Sequence, residues 1–250
     1  MEALCDLLFE LSNEDRLKIL LELEKDPKNL TRIAKDLDFT SQGTSRNIVR
    51  LVETSLIQKN PDGEYELTQY GSVSLKLLSS YEFLSRNRQY FLSHDASVLP
   101  YQFINRFGEL SVSSLQGDFI TNYALVQEMA KHVEEYAYSM MQQFNVNAQP
   151  SVVEKLKLGV KFRTILPETI VPPPSYRPPA GPDRRTLPNV QLQITIADKK
   201  AMFGLPTVEG KIDHVAFVSE DPKFHKWCLD LFNYFWDQGK PLVGAVPNLS

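Results

Sequence analysis

Apolar residues return at helical spacing through Leu30, Ile33, Ala34 and Leu37, so a short amphipathic helix is expected there. Asp38-Phe39-Thr40 interrupts the pattern, and Ser41 is placed to cap a second helix. In that helix Thr44, Ile48, Leu51 and Val52 share one face, while Gln42, Gly43, Arg46, Asn47 and Arg50 occupy the other. Leu56 to Lys59 and Glu64 to Leu67 flank Asn60-Pro61-Asp62-Gly63, which reads as two short strands around a turn. Upstream, Glu2–Leu11 is a short helix rich in apolar residues that needs a covering surface. Ser12, with Asp15 three residues on, resembles a capping box for a helix that buries Leu17, Leu20 and Leu21 and stops at Asp26-Pro27.

Downstream, Thr68 caps a helix expected to run to about Leu92, with Val73, Leu77, Leu84 and Phe91 near one stripe. Ser80 and Asn87 interrupt any strict heptad, so a long regular coiled coil is excluded. Periodicity fails over Ser93 to Pro100, which marks a domain boundary; His94 beside Asp95 there reads as a capping or surface pair. Tyr101 to Leu110 predicts a short helix, and Asp118 to Phe144 a long one with Met and aromatic residues along its inner stripe. Alternation then predicts strands at Val160–Leu166, Val190–Ile196, Lys200–Gly204 and His214–Val218. Between the first two, Pro167 to Pro188 holds so many prolines that an extended loop is expected. Ser219-Glu220-Asp221-Pro222 opens a strongly aromatic final helix that Gly239 ends. The expected class is α+β. Residues 1–70 form a helix-turn-helix with a hairpin wing, 71–93 a linker or dimerisation helix, 94–240 a mixed α/β domain and 241–250 a loose tail.

With 250 residues, 42% hydrophobic and 23% charged, the composition is that of an ordinary globular protein of two modest domains. No apolar run is long enough to span a membrane, and the start of the chain lacks a basic-then-apolar signal pattern; a cytoplasmic protein is expected. Cys5 and Cys228 lie at opposite ends without metal spacing, so both are expected to be reduced and buried. The net charge of −4 excludes a diffuse nucleic-acid coat. Locally the balance reverses: Lys28, Arg32, Lys35, Arg46, Arg50 and Lys59 outnumber Asp36, Asp38 and Glu53.

That local excess, and a helix face of Gln, Arg and Asn, suit double-stranded DNA. Gln and Asn pair bidentately with adenine, Arg with guanine. Gln42, Arg46, Asn47 and Arg50 are the expected base readers, and Gly43 and Ser45 let the backbone approach the duplex. Thr31, Arg32, Lys35 and Ser41 are expected on phosphates, with Lys59 and Tyr65 on the wing. The competing reading is a small helical subdomain that serves as a protein-interaction module, its cations no more than a solvated face.

The segment from Ser12 to Gly71, and Phe39-Thr40-Ser41-Gln42-Gly43-Thr44-Ser45-Arg46 within it, resembles the winged helix-turn-helix of archaeal and bacterial one-component regulators of the ArsR-like and TrmB-like kind. Ser55 departs from that pattern, in which Gly usually follows the recognition helix. The resemblance implies a homodimer that reads two half-sites, with the helix after the wing as its arm.

In the second domain, Arg163, Arg177, Arg184 and Arg185 are candidates for an anionic ligand, or merely keep a loop solvated. From about Tyr90, Phe91–Ala96, Pro100, Arg106–Leu110, Phe162–Pro167 and His225–Trp236 resemble the C-terminal domain of archaeal methanogenesis regulators of the filament-regulator type. This implies a sensor for a small molecule or partner, without naming one. The domain also resembles the phospholipase D-like sensor domains of TrmB-like regulators. The catalytic signature of that group, His-x-Lys-x4-Asp, is missing: His225, Lys226 and Asp230 approach it with the wrong spacing. With no Gly-rich phosphate loop or Gly-x-Ser-x-Gly elbow either, no enzyme is expected. Asp213, His214, His225 and Cys228 could converge on a metal, but packed or surface roles fit them better, and no cofactor is expected.

Overall fold

The computed structural model describes residues 1–117, 119–142, 146–171 and 181–242. The chain divides into two compact units, Met1–Ser79 and Ser80–Ser250, and the fold is α+β. The first unit holds α1 (Glu2–Leu11), α2 (Glu14–Leu23), α3 (Leu30–Asp36), α4 (Ser41–Glu53), the hairpin strands β1 (Ile57–Lys59) and β2 (Tyr65–Leu67), and most of α5 (Gln69–Arg86). Its core is Leu11, Ile19, Leu20, Leu23, Ile33, Ile48, Leu51, Leu56, Ile57 and Leu75.

Helix starts in this unit are fixed by side chains one residue off those expected. Asn13, not Ser12, caps α2 by accepting the Arg16 N–H. Thr40, not Ser41, caps α4 by accepting the Gly43 N–H at 3.1 Å. The α3–α4 turn passes through Asp38 at φ 55°, a left-handed backbone that Asp tolerates better than a bulky residue. After α4, Ser55 sits at φ 59°, where glycine would be unstrained. Gly71 is needed for another reason: a Cβ there would lie 2.0 Å from the Leu56 carbonyl oxygen, so α5 starts in direct contact with the wing's first strand. The long helix expected from Thr68 is broken at Asn87, where α6 (Arg88–Ser93) begins.

The second unit continues through α7 (Tyr101–Ile104), β3 (Ser114–Gln116), α8 (Phe119–His132), β4 (Tyr136–Met140), α9 (Gln149–Lys157), β5 (Lys161–Pro167), β6 (Asp183–Leu187), β7 (Gln193–Ala197), β8 (Lys200–Gly204), β9 (Ala216–Ser219), α10 (Pro222–Gln238) and β10 (Lys240–Pro241). The sheet order is β10-β6-β5-β4-β7-β8-β9-β3, with parallel pairs only between β4, β5 and β6. Alternation along the strands separates two faces. Ile165, Ile194, Ile196, Phe203 and Phe217 pack against α10 through Trp227, Leu231 and Phe232. Phe162 and Ala197 pack on the opposite face with Met129 of α8 and Val133 just after it.

Three expectations are corrected. The helix foreseen over 118–144 ends at His132, and Tyr136–Met140 is a strand at the middle of the sheet. Met129, Val133, Tyr136 and Met140 fit a helical stripe, but Tyr-Ala-Tyr-Ser-Met also alternates. The change is fixed by Asp198, whose carboxylate accepts the N–H groups of Glu134, Glu135 and Tyr136. The proline-rich stretch is not loop throughout: proline-free Asp-Arg-Arg-Thr-Leu forms β6, which pairs with β5. The tail expected from 241 begins with a paired residue, Pro241 opposite Arg185; 243–250 lie outside the described residues.

Candidate nucleic-acid interface

α4 buries Thr44, Ile48 and Leu51 and exposes Gln42, Arg46, Val49, Arg50 and Glu53. Asn47 and Ser45 lie at the flanks, part-buried. Gln42, Arg46 and Val49 lie on one stripe over seven residues, which is about 10 Å of helix axis. α3 packs against α4 through Ile33 and Ala34 and leaves Thr31, Arg32 and Lys35 exposed.

The cations divide by their partners. Lys28 is only 4% exposed, with its ammonium held by Glu22 and Asp36; these partners drive its pKa far above the ordinary lysine value. It belongs to the scaffold. Lys28 also exchanges backbone hydrogen bonds with Tyr65, adding a third segment to the wing. Arg32 reaches Asp26 at 3.2 Å and Asp36 at 3.8 Å. Arg50 is half exposed but gives Nε and a terminal nitrogen to Glu10 at 2.9 and 2.8 Å. Among the described residues, Lys35 and Arg46 have no acidic partner, and Lys59 lies over the Tyr65 ring at 5.8 Å. Three cations therefore remain available: Lys35 on α3, Arg46 on α4 and Lys59 on β1. The wing turn is set by Asn60, whose side chain accepts the N–H groups of Asp62 and Glu64, and by Gly63 at φ 84°. Asp62, Glu64 and Glu66 outnumber Lys59 along the hairpin and leave the wing net acidic.

Val49 was missed by reading residue types alone, because a valine in a helix counts as core. It is 53% exposed on the Arg46 face. Its angular position beside Gln42, on the side away from Arg46, was the available signal.

The candidate ligand arginines do not converge. Arg163 lies 5.2 Å from the Tyr138 ring centre and 5.1 Å from that of Trp236. Arg185 lies 4.7 Å from the Trp236 ring and donates to the Trp236 carbonyl oxygen. Both stand on the α10 face of the sheet, whereas Arg184 points to the α8 face. Arg177 lies outside the described residues. His94 is buried and stacked on Tyr90 at 3.8 Å, with Nε2 3.1 Å from Asp213; Asp95 caps the next turn. His214 faces Phe119 and His225 faces Tyr136, on opposite sides of the sheet. Cys228 is buried, as expected, but Cys5 is exposed. A closer match to His-x-Lys-x4-Asp than the one at His225 is Gln191-x-Gln193-x4-Asp198. It keeps the spacing and replaces nucleophile and cation with neutral amides, while Asp198 is occupied with backbone N–H groups. No helix among the described residues is long and apolar enough to cross a membrane.

No family model matches the chain, and no curated protein matches it. Among solved structures it is similar to TrmBL2, an archaeal chromatin protein described as showing a novel mode of DNA binding, at 12% identity and TM-score 0.44 over 92% of this chain and 94% of that one. It is also similar to Nuc from Salmonella typhimurium, a phospholipase D family member, at 17% identity and TM-score 0.41 over 53% and 99%. NucT from Helicobacter pylori matches at 10% identity and TM-score 0.41 over 52% and 98%. Likeness at this level says nothing of the chemistry, which the chain's own side chains carry.

Proposed function

We propose that this protein is a DNA-binding transcriptional regulator that acts as a homodimer, with its second unit receiving a small effector and catalysing nothing. The carrying observation is Arg46: exposed, without an acidic partner among the described residues, and projected with Gln42 and Val49 from a helix whose opposite face buries Thr44, Ile48 and Leu51, although Val52, expected there too, is 42% exposed. A side chain so placed has an unopposed charge and a rigid base, as direct reading of guanine requires. Lys35, Thr31 and Ser41 supply phosphate contacts beside it, and Lys59 with Tyr65 a weaker one from the wing. Arg50 serves the duplex less than its type suggests, because Glu10 holds it.

The dimer is supported by unpartnered apolar surface in the first unit. Leu4, Leu8 and Phe9 of α1 are 52%, 46% and 62% exposed, and Tyr70, Val73 and Leu77 of α5 are 48%, 52% and 66%. Grouped exposure of this kind marks an interaction surface. The neutral amides at Gln191 and Gln193 support a second unit without hydrolase chemistry.

A second reading has its own observation: acidic residues outnumber basic ones in Met1–Ser79, which suits a protein-interaction module. Arg46→Ala separates the two. The proposal expects specific affinity to fall by about 1–3 kcal/mol on a selected duplex, with folding unchanged. Unchanged affinity would remove Arg46 from the interface.

A further inference from the structure

The second unit contains a cavity of about 410 Å³ between α8, β7 and the 210–214 segment, within the size range of small-molecule sites. Its walls include Phe119, Tyr123, Met140, Met141 and Ile212. The Phe119 and Tyr123 rings are near parallel at 5.7 Å, and His214 meets Phe119 edge-on at 4.7 Å. Flat aromatic faces and the polarisable Met141 thioether favour an aromatic guest.

Two polar side chains in this lining each carry a buried oxygen with no hydrogen-bond partner among the described residues. Asn122 is 1% exposed. Its Nδ2 donates to the carbonyl oxygens of Gln116 and His214, which fixes the amide orientation and leaves Oδ1 as the free edge. That Oδ1 is buried and receives no donor. On β7, alternation turns Ile194 and Ile196 into the α10 core and leaves Gln193 and Thr195 on the cavity side. Gln193 Oε1 is likewise buried and without a donor. Buried acceptors in native proteins almost always have partners, so two on one cavity point to something that donates to them.

The charge state of the lining narrows the ligand further. Among the described lining residues Lys211 is the one with a permanent charge, and Glu209 holds it at 3.0 Å. Burial lowers the His214 pKa, keeping its ring neutral. Among the described lining residues no charge awaits a counter-charge. The lip is braced rather than loose: Asp213 binds His94, Asn122 holds the His214 carbonyl, and His214 itself stands at φ 65°. A left-handed backbone at a bulky residue is a conformation that the surroundings must enforce.

We propose that this cavity is a binding site for a neutral aromatic molecule carrying two or more O–H or N–H donors, with Asn122 and Gln193 as the acceptors that recognise it. The inference deepens the effector half of the reading above and is independent of its DNA half. It also moves the ligand site away from Arg163 and Arg185, which are engaged on the opposite face.

The test uses the five methionines as reporters. Full-length protein labelled with 13C at methionine methyls is titrated, without DNA, with resorcinol, catechol and uracil. 1,3-Dimethoxybenzene serves as a control of similar shape without donors. The proposal expects at least one donor-bearing probe to shift the Met141 methyl saturably while Met1 and Met202 stay in place. The dimethyl ether should bind at least fivefold more weakly. Gln193→Leu deletes an acceptor that makes no hydrogen bond, so the variant should fold and lose at least fivefold in probe affinity. The proposal fails if no donor-bearing probe shifts Met141, if the ether binds equally well, or if Gln193→Leu leaves affinity unchanged. Loss of DNA binding in a separate assay would not affect these results, so failure of the two readings is distinguishable.

Discussion

Glu10 is the residue whose removal should reveal most about the first unit. It is 1% exposed and its carboxylate faces two arginines: Arg50 donates to it at 2.9 and 2.8 Å, and Arg16 Nε lies 3.0 Å from the other oxygen as an ion pair. Glu10→Gln keeps the volume and deletes the charge. Breaking a buried pair costs about 3–5 kcal/mol when the remaining charge has no other partner. Two features reduce that here. Arg16 keeps its hydrogen bonds to the carbonyl oxygens of Glu10 and Phe9, at 3.2 and 2.9 Å. Arg50 is half exposed and can return to water, where such pairs are worth about 1 kcal/mol or less. A loss of about 2–3 kcal/mol follows, which for a unit of this size lowers the melting temperature by roughly 10–20 °C. The substitution also frees Arg50 on the α4 surface. Non-specific DNA affinity at low salt should rise, and the dependence of log K on log salt should steepen by about one phosphate contact. Thermal unfolding followed by circular dichroism, and fluorescence-anisotropy titrations at several salt concentrations, measure the two effects. A stability loss below about 1 kcal/mol would refute the buried-clamp reasoning, and an unchanged salt slope would refute the claim that Glu10 withholds Arg50 from the duplex.

Other consequences are testable in the same preparations. Ser55→Gly removes a side chain from a left-handed position; relief of about 1–2 kcal/mol, less the added freedom of the unfolded chain, should stabilise the first unit by roughly 0.5–1 kcal/mol in urea denaturation. Asp198→Asn weakens three backbone hydrogen bonds at the start of β4 and should cost about 2 kcal/mol. Burial raises the Asp198 pKa, but the N–H groups of Tyr136, Glu134 and Glu135 outweigh it and the net shift is downward. The stabilisation is therefore fully present above the unfolded carboxyl value, about pH 4, and fades as pH falls through the lower folded value. The wild-type advantage over Asp198→Asn should shrink in acid and stay constant between pH 6 and 8.

The first unit was legible in the sequence because local signals agreed. Apolar spacing in α3 and α4, a polar cap before α4, a Pro-Asp-Gly turn and a glycine after Leu-Thr all pointed the same way. The pairing of its charges was not legible. Glu10 and Arg50 lie forty residues apart, and nothing in either's neighbourhood says that they meet. In the second unit, length misled: Tyr136–Met140 satisfies helical and strand periodicities together, and the deciding acceptor, Asp198, is sixty-two residues from Tyr136. Proline density likewise concealed β6, a five-residue strand between prolines. The proposed cavity residues were invisible for a related reason. Asn122 and Gln193 look like ordinary polar positions until the fold shows that their oxygens are buried without donors.

The central claim is tested most directly by binding to random 30-base-pair duplexes at two salt concentrations, followed by sequencing of the bound fraction. The account predicts salt-sensitive binding that enriches a palindrome with half-sites about one helical turn apart, as two α4 helices related by two-fold symmetry require. Folded protein that fails to bind at low salt, or binds without enriching any sequence, would contradict it.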